Sequence, residues 1–199
     1  MKIGIIGGTF NPIHIGHLIL AEEAREKLGL KKIIFVPTYM PPHKNNSHIA
    51  AAKMRLKMAK LAIQGNNVFS VSDIEIKRKG RSYTIYTLKE FQKKFPKDDL
   101  YFIIGSDLLN YLKEWKDLDE IIKMVKFIVA TRPGYPLEKI PSYIKTMPIR
   151  AVDVSGFEIR SRIRENKSFR YLVPEAVYKF IKKNRLYRDG SQLKAKLSP

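Results

Sequence analysis

Gly7-Gly8-Thr9-Phe10-Asn11-Pro12-Ile13-His14-Ile15-Gly16-His17 follows directly on the apolar run Lys2–Ile6. The run reads as a buried strand, and Ile15–Leu28 beyond it has helical periodicity. Two glycines let the chain bend sharply and lie close to a ligand. Pro12 stiffens the bend. The helix that follows presents unpaired N–H groups and a partial positive charge, a favourable seat for phosphate. His14 and His17 are three apart and are expected on one helix face, with Gly16 leaving room between them for a phosphate or a base.

The same alternation continues along the chain. Lys32–Pro37, Val68–Val71, Leu100–Ile104, Lys126–Ala130 and Pro148–Val152 read as strands. Ile49–Gln64, Thr84–Phe95, a broken stretch Leu108–Met124, Ser155–Glu165 and Pro174–Lys183 read as helices. This pattern predicts an α/β fold with a parallel sheet covered on both faces. Ligands of such sheets bind beyond the carboxyl ends of the strands. The loops Gly7–Gly16, Thr38–Ser47, Gly105–Leu109 and Thr131–Pro136 are expected there, with the last helices closing over the same side. No internal repeat and no Pro-, Gly- or Ser-rich linker divides the sequence.

The chain of 199 residues is long enough for one full α/β domain and short for two. It contains no cysteine, which excludes disulfides and thiolate metal sites. The N-terminal apolar stretch is too short for a signal peptide, and no run approaches a membrane span. A cytoplasmic setting is expected. The net charge of +19 calls for an anionic partner or a solvated lysine-rich surface. Residues 145–188 hold 12 basic and 4 acidic side chains, so the excess lies in the body and not in the segment 188–199, expected to be a flexible basic tail.

The histidine pair is open to three roles. A metal pair usually has i,i+4 spacing and a third ligand, and neither Glu22 nor Glu23 is at a fitting offset. A histidine packed in the core is the second. The third is phosphate contact and transition-state stabilisation, which the glycine-rich strand-to-helix loop favours. An attacking phosphate is already anionic at neutral pH, so catalysis reduces to positioning and electrostatics.

The run Thr9–His17 resembles the nucleotidyltransferase superfamily with a His-x-Gly-His motif. Class I aminoacyl-tRNA synthetases share His14-Ile15-Gly16-His17 letter for letter. They also need a late Lys-Met-Ser-Lys-Ser loop, and Lys57-Met58-Ala59-Lys60-Leu61 lies early, in a helical pattern, without the serines. As far as Tyr187 the chain is more similar to the bacterial nicotinate-nucleotide adenylyltransferases. That resemblance is carried by Pro41-Pro42-His43-Lys44, Arg81-Ser82-Tyr83-Thr84, Phe102–Asp107, Tyr111–Trp115, Thr131–Tyr135 and Ser155–Arg160, in this order.

The resemblance implies a Rossmann-like doubly wound sheet of the adenine nucleotide α-hydrolase-like type. It implies one nucleotidyltransferase domain over residues 1–187, of which about 155–187 form a small C-terminal helical part. It implies transfer of AMP from ATP to nicotinate mononucleotide, on the route to NAD, with Mg²⁺ bound through the substrate phosphates. His14, His17 and Arg160 are then catalytic. Gly7, Gly8, Thr9, Phe10, Gly105, Asp107, Ser155 and Ile159 join them in holding ATP. Lys44, Thr84, Tyr111 and Trp115 hold the acceptor, with backbone N–H groups near Thr84 receiving its carboxylate and Trp115 stacking on the pyridine ring.

The chain departs from the family pattern at Tyr86, where an Asp is usual, and at Gly156 and Phe157, which replace a Ser and a Thr. Two other acceptors, nicotinamide mononucleotide and phosphopantetheine, would use the same chemistry. From another class, the charge alone would suit a basic module that binds nucleic acid, but no helix-turn-helix, zinc-finger or aromatic RNA-binding pattern supports it.

Overall fold

The computed structural model describes residues 1–42, 49–131, 140–150 and 152–188, apart from the side chains of Asp107 and Asn110. Strands β1 (Lys2–Gly8), β2 (Lys32–Pro37), β3 (Phe69–Val71), β4 (Asp99–Gly105), β5 (Lys126–Thr131) and β6 (Ile144–Pro148) form one sheet. Its order is β3-β2-β1-β4-β5-β6, and every pairing is parallel. The helices are α1 (Ile15–Leu28), α2 (Ala52–Ala62), α3 (Ile74–Arg78), α4 (Thr84–Lys94), α5 (Leu118–Met124), α6 (Gly156–Arg164) and α7 (Glu175–Lys183). A 3₁₀ helix, Ser106–Glu114, follows β4.

Alternation along each strand decides which side chain goes to which face. Ile33, Phe35, Tyr101, Ile103, Ile128 and Ala130 pack with α1, α2, α6 and α7. Ile3, Ile5, Ile34, Val36, Phe102, Ile104, Phe127 and Val129 pack with α4, α5 and the 3₁₀ helix. Both faces are therefore covered, which is why the strands carry continuous apolar runs. The expected doubly wound α/β sheet is the one observed.

Three elements differ from expectation. The last strand is Ile144–Pro148, four residues earlier than the Pro148–Val152 run suggested. Its burial pattern leaves Lys145, Thr146 and Pro148 exposed, with Ile144 buried on one face and Met147 on the other, so an edge strand with a single buried side chain on each face escaped a search for continuous apolar runs. The broken stretch 108–124 resolves into the 3₁₀ helix and α5, with Asp117 between them at φ 55°. Helix α3, five residues long, had no periodicity to announce it.

In this order β1 lies between β2 and β4, and the chain winds away from it in both directions. That pair is the topological switch point, where the loops after β1 and β4 part and leave a crevice. Among the described residues no helix is long and apolar enough to cross a membrane.

Candidate active site

The loop after β1 makes the floor of the crevice. Phe10 holds φ 47°, the left-handed region that a side chain rarely adopts, and the Asn11–Pro12 peptide bond is cis. His14 is the N-cap of α1, with extended backbone (φ −141°, ψ 172°), and His17 stands at N3. Their rings meet at 3.7 Å between centroids. The His14 backbone N–H donates to His17 Nδ1 at 3.2 Å. His17 Nδ1 therefore accepts, and the ring proton sits on Nε2. The Phe10 ring meets the His17 ring edge-on at 5.0 Å. His14 is buried and His17 half-buried.

Gly16 serves a purpose other than the expected one. A Cβ at this position would lie 3.1 Å from His14 Nδ1. The space beside Gly16 is filled by the imidazole itself, so the glycine makes room for His14 and not for a ligand. The α1 N-terminus is also partly spent: the Ile15 N–H donates to the Leu172 carbonyl at 3.0 Å, tying the C-terminal segment to the floor of the site.

Arg160 comes in from α6. One of its guanidinium N–H groups donates to the Asn11 carbonyl at 2.7 Å. Its Nε is buried without a hydrogen-bond partner among the described residues, a standing cost that an anion alongside would lower. Burial holds this guanidinium below its ordinary value, opposed by Tyr187 and reinforced by Arg164. Ser155 caps α6, its hydroxyl oxygen accepting from the Glu158 N–H at 3.1 Å. Gly156 lies against the β1 loop, where a Cβ would stand 3.0 Å from the Asn11 carbonyl oxygen and 3.4 Å from the Arg160 guanidinium. Phe157 is 68% exposed at the start of α6. Ile159 is not brought to the site: its side chain is fully buried in the core.

Arg55 is the residue that reading the sequence missed. It lies on α2, is 1% exposed, and binds four groups of the surrounding loops. Its donors reach the carbonyls of Thr9 (2.8 Å), Tyr39 (2.9 Å) and Ala50 (2.8 Å) and the Thr38 hydroxyl (3.4 Å). Burial pulls it down to about 10, with Tyr187 and Glu75 pulling the other way, so it stays charged at neutral pH. Asn11 ties in the same lead-in, its Oδ1 accepting from the Ala50 N–H at 3.0 Å. No motif marks Arg55; its only sequence signal is a basic residue among the apolar positions of a helix.

The other wall is built by the loop after β2, the start of α4 and the 3₁₀ helix. The Thr38 N–H donates to the Gly8 carbonyl at 3.0 Å. The Tyr39 N–H donates to the Ser82 hydroxyl at 2.8 Å and the Ser82 N–H to the Met40 carbonyl at 2.9 Å, setting the start of α4 beside the loop. Tyr83 is the N-cap of α4 and Thr84 its first helical residue. Behind it the buried Glu75 accepts from the Thr87 hydroxyl at 2.6 Å. Burial raises this carboxyl, with Ser82, Thr87, Arg78 and Arg55 opposing.

Gly105 caps the 3₁₀ helix, and Asp107 follows one residue inside it, its side chain outside the described set. Tyr111 is 53% exposed. Trp115 is half-buried, its ring 5.9 Å from Phe102 and 6.0 Å from Phe127, so it belongs partly to the core and partly to the crevice wall. Lys44 and the Arg132–Tyr135 turn lie outside the described residues, as does most of the tail from 188 onward. Among the described residues no group of three His, Asp or Glu side chains could hold a metal ion.

Against known proteins, a family model described as cytidylyltransferase-like matches residues 5–162. A protein of Desulfitobacterium hafniense (strain Y51) named probable nicotinate-nucleotide adenylyltransferase is 43% identical over 198 residues, 94% of this chain and 96% of that protein. A protein of the same name from Moorella thermoacetica is 41% identical, covering 94% and 92%. The fold is similar to that of the nicotinic acid mononucleotide adenylyltransferase of Plasmodium falciparum, solved with NaAD. The TM-score is 0.76 at 18% identity, covering 94% of this chain and 97% of that one.

Proposed function

The chain belongs to the cytidylyltransferase-like family and, within it, to the nicotinate-nucleotide adenylyltransferases, and from that premise we propose how its site works. AMP passes from ATP to nicotinate mononucleotide, giving nicotinate adenine dinucleotide and pyrophosphate. Residues 1–187 act as one domain, in a cytoplasm that supplies the ATP.

The triphosphate lies over the end of β1 and the start of α1, against Gly7, Gly8, Thr9 and Phe10. The observation that carries this reading is the convergence of His14, His17 and Arg160 on the Asn11 loop. With Nδ1 accepting from the His14 N–H, the His17 ring carries its proton on Nε2. It and the Arg160 guanidinium suit the charge that builds on the α-phosphate and the departing pyrophosphate. Gly105 and Asp107 attend the adenosine, and the Ser155 hydroxyl keeps its proton to donate. Ile159 supports this wall from within the core.

The acceptor takes the opposite wall, with Thr84 at the start of α4, Tyr111 and Trp115 around its ring, and Lys44 toward the phosphates. An acceptor phosphate oxygen attacks the α-phosphorus in line, forming one P–O bond as the bond to pyrophosphate breaks. No proton leaves the nucleophile, so no general base is required, and no covalent enzyme intermediate forms. Mg²⁺ travelling on the triphosphate supplies further charge neutralisation at the phosphate oxygens.

Purified protein is incubated with ATP, Mg²⁺ and nicotinate mononucleotide and the products are separated. Dinucleotide and pyrophosphate in equal amounts are expected; consumption of ATP with no dinucleotide, or no turnover, overturns the reading.

A further inference from the structure

A hydrogen bond joins the first turn of α4 to the segment that follows the 3₁₀ helix. Lys116 Nζ donates to Tyr86 Oη at 2.5 Å. The same ammonium lies 4.9 Å from the centre of the Tyr86 ring and 5.4 Å from that of Tyr83, and Arg78 stands 6.0 Å from the Tyr86 ring. Tyr83 and Tyr86 meet edge to face at 6.1 Å. The ammonium is thus held at the Tyr86 hydroxyl with the Tyr83 ring beside it. Tyr83 immediately precedes Thr84, and Lys116 immediately follows Trp115. The bond thus links the two segments that carry Thr84 and Trp115, both given above to the acceptor.

Charge is lopsided here. Among the described residues Lys116 makes no ion pair; its neighbour Asp117 acts on it only through its field. Position 86 is a phenol, so no carboxylate stands at the Lys116 ammonium. An ammonium has three donors, and one is used on Tyr86.

We propose that Lys116, held by the Tyr86 hydroxyl beside Tyr83, is a specificity determinant that favours an acceptor mononucleotide carrying a carboxylate on its pyridine ring over one carrying a carboxamide. The inference rests on the acceptor reading above and extends it to a residue. The two mononucleotides have the same shape and differ by one charge. Backbone N–H groups at a helix start donate to either oxygen and discriminate weakly. A fixed cation interacts with the charged form by a Coulomb contribution that the amide lacks. At a solvent-facing distance of a few ångströms that contribution amounts to about tenfold in kcat/KM.

The test measures kcat/KM for nicotinate and nicotinamide mononucleotides at saturating ATP and Mg²⁺. Lys116→Met is expected to lower kcat/KM for the nicotinate form about tenfold, chiefly through KM, and to leave the nicotinamide form within about twofold. Lys116→Arg is expected to retain the preference, and Lys113→Met to match the parent. High salt narrows the parent's preference and leaves that of Lys116→Met unchanged. An equal loss for both acceptors would mean Lys116 only braces the wall, and an unchanged ratio would mean it has no part in selection; either overturns the proposal. A parent that turns over neither mononucleotide sinks the acceptor reading itself and this inference with it.

Discussion

The backbone N–H of His14 donates to Nδ1 of His17, so the cap of α1 sets the tautomer of the second imidazole three residues on. An N-cap N–H bonded to an N3 side chain is the geometry of a capping box, with imidazole in the usual place of a carboxylate. The helix end and the proposed catalytic group are one device. His17→Ala is expected to lower kcat by a factor on the order of 100 to 1,000. The melting temperature should fall little, because His17 is only half-buried. Steady-state kinetics beside a thermal melt separates the two effects; a variant with the parent's kcat removes His17 from the chemistry.

Arg55 holds the carbonyls of Thr9, Tyr39 and Ala50 from inside the protein. Arg55→Lys keeps the charge but not the planar fork, and it leaves buried carbonyls without donors. A loss on the order of 3 kcal/mol is expected in denaturant unfolding. Under conditions where the variant stays folded, KM for ATP should rise, because Thr9 is no longer anchored. Unchanged stability would show that water replaces the guanidinium at little cost.

Gly156 stands where the family usually has serine. Gly156→Ser would return the hydroxyl, but its Cβ meets a backbone oxygen at 3.0 Å. Either α6 or the Asn11 loop must move by a few tenths of an ångström. The expected outcome is a loss of about 1 kcal/mol and a weaker hold of Arg160 on Asn11, read as a higher KM for ATP. A variant that is more stable and binds ATP better would show that the loop adapts freely.

Glu23 sits on α1 between Lys27 at 2.7 Å and Arg150 at 2.8 Å. The Lys27 ammonium bonded to it holds its carboxyl below the ordinary 4.5 against the opposing effect of burial, with Arg150 adding to the pull. The folded state thus binds this proton less tightly than the unfolded chain. The pair's stabilisation is present above 4.5 and is lost as the pH falls through the folded value. The melting-temperature gap between the parent and Glu23→Gln should be open near neutral pH and shrink as the pH is taken below 4.5. A gap independent of pH would assign the effect to packing.

The sheet was legible because four of its strands, β1, β2, β4 and β5, are buried on both faces, and runs such as Ile33-Ile34-Phe35-Val36 have no competing explanation. β6 escaped because only Ile144 and Met147, one on each face, are buried in it, and α3 was missed because five residues show no period. In the site, the histidines and Arg160 were visible through motif and loop chemistry, since a glycine bend before a helix admits few other purposes. Arg55 was not, because its partners are backbone carbonyls, and a carbonyl leaves no trace in the identity of its residue. Gly16 was seen but misjudged for a related reason: the group that fills its space, the His14 ring, comes from two positions earlier along the chain. Ile159 was counted with its motif, although its own side chain belongs to the core.

The claim on which the rest depends is that the imidazole pair meets the α-phosphate of ATP. A crystal structure of the protein with Mg²⁺ and an ATP analogue bearing a non-hydrolysable α,β bridge tests it directly. The expected result is an α-phosphate oxygen within hydrogen-bond distance of His17 Nε2, with Arg160 on the same polyphosphate. An analogue bound with its α-phosphate out of reach of both imidazoles would contradict it.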